Sequence, residues 1–265
     1  MLLLPPVAVL VALGGVWFFA LVAGILTLAV IEFCKLMRRG HFQPSVPFAL
    51  AMLWVLLLDA QCPDWQPFGL RLLEPGITGV LLGSLSWQLL HRGEHPTVDW
   101  ALAMAGPLYI GWCGAHFIRL RHFPEGMWWV AVTLAATWCA DVGAYVVGHL
   151  WGHRPLAATL SPKKTWEGWG GGVVASGLAV AAVAALWDAL AAPAAIGILP
   201  GALIGAFVGG TTLLGDLTVS MIKRHMGAKD TGTLFPGHGG ALDRMDSLLW
   251  AGLLVYYLAA WITHS

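Results

Sequence analysis

Charge is what this chain has least of. Only 11% of its 265 residues are charged, against roughly 25% in an ordinary soluble domain. A water-soluble chain this poor in charge could not cover its surface. The 14 acids and 14 Lys/Arg cancel, so net charge gives no argument for an anionic partner. Cysteine is scarce as well: Cys34, Cys62, Cys113 and Cys139 form no CxxC pair and join no histidine cluster, so a zinc site or disulfide framework has no support. Three of them fall inside apolar runs, where a small buried thiol is the plain expectation. There is no soluble domain, low-complexity tract or repeat, and the GxxxxGK[ST] phosphate loop is missing. The apolar start runs on through Val16-Trp17-Phe18 to Phe33 without a small-residue cleavage site, so no cleavable signal peptide is expected.

What the chain does have is apolar length. Hydrophobic residues make up 58% and the mean hydropathy is +0.75, so lipid is the expected solvent. Gly (33) and Trp (15) are both abundant, as suits closely packed membrane helices with aromatic anchors at the interfaces. The runs read as about nine membrane segments, near 2–14, 16–36, 46–61, 69–91, 98–119, 127–150, 167–190, 195–222 and 245–262. The first two are separate helices or one hairpin broken at Gly14-Gly15. The expected fold is therefore an all-α polytopic membrane protein, with N-terminal helices over 1–125 and a catalytic region over 126–265 in one membrane unit. With the N-terminus in the cytoplasm, the inside loops hold Lys35, Arg38, Arg39, Arg92, Arg154, Lys163, Lys164, Lys223, Arg224, Lys229 and Arg244. Only Arg71, Arg119 and Arg121 fall outside, which fits the positive-inside rule. Gly201, Gly205 and Gly209, and again Gly79 and Gly83, recur every four residues, a spacing that lets another helix approach closely.

Charges at membrane depth are costly, so their positions carry information. Nearly half of the charged residues lie in two stretches. One runs from Asp141 and Tyr145 to Ser161-Pro162-Lys163-Lys164-Thr165-Trp166-Glu167-Gly168. The other runs from Asp216 through Ser220, Lys223-Arg224, Lys229-Asp230 and Pro236-Gly237-His238-Gly239-Gly240 to Asp243-Arg244-Met245-Asp246-Ser247. On a helix Asp216, Ser220 and Lys223 share one face, as do Asp243 and Asp246. Such charges line a polar cavity rather than face lipid. Carboxylates with few His or Cys favour a hard, oxygen-liganded ion such as Mg²⁺, and the neighbouring cations suit phosphate oxygens. Ser161-Pro162 reads as a helix N-cap with Pro at the first helical position, placing Lys163 and Lys164 at a helix start. Asp141 and Tyr145 lie one turn apart in an apolar helix. Asp99 and Asp188 read as plain interfacial residues.

Taken together, Ser220-Met221-Ile222-Lys223-Arg224, Lys229-Asp230 and Pro236-x-His238-Gly239-Gly240-x-x-Asp243-Arg244-x-Asp246 resemble the C-terminal signature of the phosphatidate cytidylyltransferase family. Asp141-x-x-Ala144-Tyr145 and Ser161-Pro162-Lys163-Lys164-Thr165-x-Glu167-Gly168 resemble its upstream motifs. Ala241 departs from the larger aliphatic residue usual there. The resemblance implies an attack of the phosphate of phosphatidic acid on the α-phosphorus of CTP, with pyrophosphate leaving. It implies Mg²⁺, with a monovalent cation such as K⁺ assisting. Asp216 and Asp243 would be the principal metal carboxylates, with Asp246 close by. Ser220, Lys223, Arg224, Lys229 and Arg244 would contact or position phosphates. Asp230 and His238 would shape the nucleotide pocket together with Gly239 and Gly240. Lys164, with Ser161, Lys163 and Glu167 in its loop and with Asp141 and Tyr145, would help hold CTP or the lipid phosphate.

The expected setting is the bacterial inner membrane, with a cytoplasm-facing site, a homodimer, and no nucleic-acid partner. Three alternatives stay open: transfer to another lipid phosphate, a CTP-dependent lipid kinase, or an ion transporter using Asp141, Asp216 and Asp243.

Overall fold

A computed structural model describes residues 4–66, 71–91, 93–191, 196–232 and 239–264. Among them nine α-helices follow one another: α1 (Leu4–Leu13), α2 (Gly15–Arg39), α3 (Val46–Gln61), α4 (Leu73–Leu90), α5 (Pro96–His122), α6 (Gly126–Trp151), α7 (Trp166–Ala191), α8 (Ile198–His225) and α9 (Ala241–His264). Each apolar run of the sequence overlaps one of them. Six helices, α2 and α5 to α9, are long and apolar enough to cross a membrane, while α3 is apolar but shorter. The break between α1 and α2 falls where the sequence marks it. Gly14 and Gly15 take φ of 64° and 50°, a region that side chains enter only at a cost. Among the described residues the strands are β1 (Pro155–Ala157) and β2 (Ser161–Thr165), paired as an antiparallel hairpin.

The chain forms two compact units. One comprises Met1–Arg119 with Ile222–Met245, the other Leu120–Met221 with Asp246–Ser265. The sequence divides most simply once, at 125/126. The folded chain instead returns, so the motif-rich stretch after α8 belongs with the N-terminal helices.

In the first unit Leu26 of α2 and Leu53, Leu56 and Leu57 of α3 are fully buried. Gly106 and Gly114 of α5 lie against Phe33 and Leu26 of α2, leaving no room for a Cβ. Arg119 Nη2 pairs with Asp59 Oδ2 at 3.0 Å, joining the ends of α5 and α3. Asp99 is not a plain interfacial residue: it is buried and accepts the Gln43 N–H at 2.7 Å. A loop that needs its backbone N–H satisfied recruits the carboxylate at the start of α5.

In the second unit the helices meet through small residues. Gly143 of α6 lies against Ala175 and Gly171 of α7, and Gly172 of α7 against the Ala140 carbonyl of α6. On α8 the stripe Gly201, Gly205, Gly209 faces α7, where Ser176 Oγ donates to the Gly205 carbonyl at 2.6 Å. The opposite side of α8 carries Leu199, Leu203 and Phe207, all exposed. Small residues inside and large apolar ones outside invert the pattern of a protein in water, and suit a helix solvated by lipid. The second glycine stripe differs. Gly83 abuts Phe48, but Gly79 has nothing near it.

Candidate active site

In the second unit the polar residues gather around the hairpin. Ser161 precedes a proline, which pushes it toward extended backbone, and Ser161 pairs with Ala157 while Thr165 pairs with Pro155. Pro162 is tolerated because a two-stranded hairpin has only edge strands. This corrects the reading of Ser161-Pro162 as a helix start. The true N-cap of α7 is Thr165, whose Oγ1 accepts the Gly168 N–H at 3.1 Å. Lys163 and Lys164 therefore lie on β2, clear of the helix dipole. Glu167 Oε2 accepts the N–H groups of His153 and Arg154 at 3.3 and 3.2 Å, which ties the turn before β1 to the start of α7.

Lys164 Nζ is ion-paired with Asp216 Oδ2 of α8, and Ser220 Oγ donates to Asp216 Oδ1 at 3.1 Å. Beside Asp216, the bare Cα of Gly215 lies against the Asp246 carbonyl of α9. Asp141, Tyr145, Lys163, Lys164, Asp216 and Ser247 line a cavity of about 340 Å³ together with small residues of α6, α7 and α8. The cavity brings the Ser-Pro-Lys-Lys loop, the α6 acid and the α8 acid together. The sequence motifs imply this grouping without fixing it.

In the first unit α8 ends in a Schellman motif. Gly227 takes φ 64°, its N–H donates to the Arg224 carbonyl, and the Ala228 N–H donates to the Lys223 carbonyl. Lys223 Nζ then reaches Asp243 Oδ1 at 2.7 Å, with both side chains about nine-tenths buried. Asp243 Oδ2 accepts the N–H groups of Thr231 and Gly240 at 2.8 and 2.9 Å. Gly240 is the N-cap of α9 and Asp243 its N3 residue, so the Asp243–Gly240 bond is one half of a capping box. Thr231 Oγ1 lies 2.9 Å from Asp243 Oδ2 and 3.1 Å from Glu32 Oε2. Having one hydrogen, it donates to one of them at a time.

Arg224, Lys229, Asp230 and Arg244 are exposed. Asp246 Oδ1 accepts the Ser247 N–H at 2.6 Å. Gly239 takes φ 83° beside Asp243. His238 lies outside the described residues. Sequence reasoning missed Glu32 and Thr231. Glu32 could have been found by the rule that singles out Asp141, since it too is an acid inside an apolar run. Thr231 gives no such signal.

Among the described residues no three His, Cys, Asp or Glu side chains gather into a group that could hold a metal. The individual oxygens nevertheless fit a hard cation. Asp243 Oδ2 is closed, because three donors already face it. Asp243 Oδ1 and Asp216 Oδ2 are each held by a lysine ammonium, and an oxygen-preferring cation could take either lysine's place.

The chain matches the cytidylyltransferase family over residues 1–262. It is 32% identical over 252 residues to a phosphatidate cytidylyltransferase of Bacillus subtilis, covering 95% of this chain and 91% of the relative. It is 33% identical to one of Synechocystis over 94% of this chain and 90% of that protein. To one of Mycobacterium bovis it is 34% identical, over 97% of this chain and 82% of that protein. A match that runs through both units and every motif described above makes this chain a member of the cytidylyltransferase family.

Proposed function

We propose that this protein transfers the cytidylyl group of CTP to phosphatidic acid, giving CDP-diacylglycerol and pyrophosphate for phospholipid synthesis. The observation that carries the reading is the family match across residues 1–262, into which the lysine–carboxylate chemistry of both units fits. A phosphate oxygen of phosphatidic acid forms a bond to the α-phosphorus of CTP, and the bond from that phosphorus to the β-phosphate bridge breaks. The attacking group is already an anion, so no strong general base is needed.

The obstacle is repulsion between two polyanions, and positioned charge is what removes it. In the cavity of the second unit, Lys164 would turn from the Asp216 carboxylate to phosphate oxygens, with Lys163, Ser161 and Ser247 beside it on the cavity wall. Tyr145 and Asp141 would border the bound substrate. In the first unit Lys223, with Arg224, Lys229 and Arg244, would neutralise phosphate charge. Asp216 and Asp243, with Asp246, are the carboxylates that would hold Mg²⁺. When bound, Mg²⁺ supplies charge neutralisation at the phosphates and the leaving pyrophosphate.

The same reading makes all nine helices membrane segments and sets the polar cavity toward the cytoplasm, because the basic loops collect on one side. The membrane is the bacterial inner membrane. The expected homodimer is part of the reading, and the mass of the detergent-purified particle tests it.

The deciding experiment supplies purified protein with phosphatidic acid, Mg²⁺ and CTP labelled at the α-phosphate. Labelled lipid with release of pyrophosphate is the expected result. Lipid phosphorylation with release of CDP would make the protein a kinase instead, and no lipid product from phosphatidic acid would overturn the reading. A panel of ether and prenyl phosphates run alongside tests whether another lipid is preferred.

A further inference from the structure

Glu32 is an acid in the middle of α2, buried to 8% exposure, and the reaction proposed above gives it no task. Its Oε2 accepts the Leu242 N–H at 3.0 Å and lies 3.1 Å from the Thr231 hydroxyl. Leu242 is the second residue of α9. The first backbone N–H groups of a helix have no partner within it, and an N-cap side chain usually accepts from the second or third. Here the N-cap is Gly240, which has no side chain to offer. A Cβ at Gly240 would run into Glu32 Oε2, and one at Gly232 would run into Glu32 Oε1. Both glycines leave room for this carboxylate.

We infer that Glu32 is a positioning residue that caps α9 in trans and so fixes Asp243 for the reaction. Two acids share the work of the cap. Asp243 satisfies the Gly240 N–H from within α9, and Glu32 satisfies the Leu242 N–H from α2. Thr231 stands between them, within reach of both. Removing Glu32 leaves a buried N–H unpaired and lets the first turn of α9 fray, and Asp243 sits in that turn. The role needs an acceptor oxygen at Oε2 rather than a negative charge, which sets it apart from a metal ligand.

The inference rests on the cytidylyl-transfer reading for its kinetic arm only, so the experiment has two arms. In the first, amide hydrogen exchange is measured on detergent-purified wild type, Glu32→Gln and Glu32→Ala. Segment 239–245 should exchange at least about tenfold faster in Glu32→Ala, while segments of α6 and α7 stay unchanged and Glu32→Gln stays close to wild type. In the second, Glu32→Ala should lower kcat at least about tenfold with KM for CTP within about threefold, and Glu32→Gln should keep kcat within about threefold. Exchange unchanged in Glu32→Ala overturns the cap. Glu32→Gln as inactive as Glu32→Ala, with exchange intact, makes Glu32 a reacting or metal-binding carboxylate and also overturns it. If Glu32→Ala does not fold, Glu32→Gln alone decides: near-normal kcat and exchange support the cap, and loss of either refutes it. A wild-type protein that makes no CDP-lipid but shows the exchange difference would leave the cap standing and defeat only the functional reading.

Discussion

Lys164 of β2 and Asp216 of α8 form an ion pair beside the cavity of the second unit, with the two side chains 24% and 32% exposed. A pair this accessible contributes little to stability, yet it holds a lysine and a carboxylate where a polyanion and its counter-cation could enter. Lys164→Ala should therefore leave the protein folded and weaken use of CTP or phosphatidic acid. One charge-assisted contact corresponds to about 1.5–3 kcal/mol. Steady-state kinetics with each substrate varied in turn checks this. Unchanged kinetics would leave Lys164 as a topology signal alone.

The glycine stripes give a prediction about packing. Gly205 lies against the Ser176 carbonyl of α7, a backbone atom that cannot step aside, whereas Gly79 has nothing near it. Gly205→Ala should lower thermal stability in detergent by several degrees through overpacking, at a cost of about 1–3 kcal/mol. Gly79→Ala should be neutral or slightly stabilising, by up to about 1 kcal/mol from helix propensity. Equal effects at the two sites would refute the close approach of α7 and α8.

The same pair shows how far the sequence was legible. Spacing made both stripes look alike, because it reports which residues share a face and not what stands opposite. Helix positions were readable from apolar runs, down to the break at Gly14-Gly15. The hairpin was not, because Ser161-Pro162 mimics a helix start and its strand partner is only three residues long. The lysine–carboxylate chemistry could be anticipated from residue type. The Glu32–Thr231 contact could not, since 199 positions separate the two and only packing brings them together.

Topology discriminates between nine crossings and the six helices of sufficient length and apolarity. Nine put the termini on opposite sides of the membrane, and six put them on the same side. Reporter fusions at each end, with a third in the 158–160 turn between the strands, should place the N-terminus and the turn in the cytoplasm and the C-terminus outside. Both termini on one side would remove the nine-span arrangement.

The sharpest prediction concerns Lys223 and Asp243, 2.7 Å apart with side chains only 12% and 10% exposed. Asp243→Asn is close to isosteric, and its remaining oxygen can still accept the N–H groups of Thr231 and Gly240, so the first turn of α9 is kept. Lys223 is left nearly buried without a counter-charge, and breaking such a pair from one side costs about 3–5 kcal/mol. Asp243→Asn should thus lose both stability and turnover, the latter by at least about 100-fold if the carboxylate serves the reaction electrostatically. Lys223→Met should lose stability for the converse reason. The double variant, Lys223→Met with Asp243→Asn, separates the two effects: it removes both charges together and should recover roughly 1–3 kcal/mol of the summed loss. Turnover should not return with it, because neither the carboxylate nor the ammonium is restored. Thermal unfolding in detergent and Mg²⁺-dependent CDP-lipid formation, measured on all four proteins, decide the matter. A double variant that regains stability and activity alike would show that this pair only holds the fold together. Stability regained without activity would mean that the same two charges also act on the substrates.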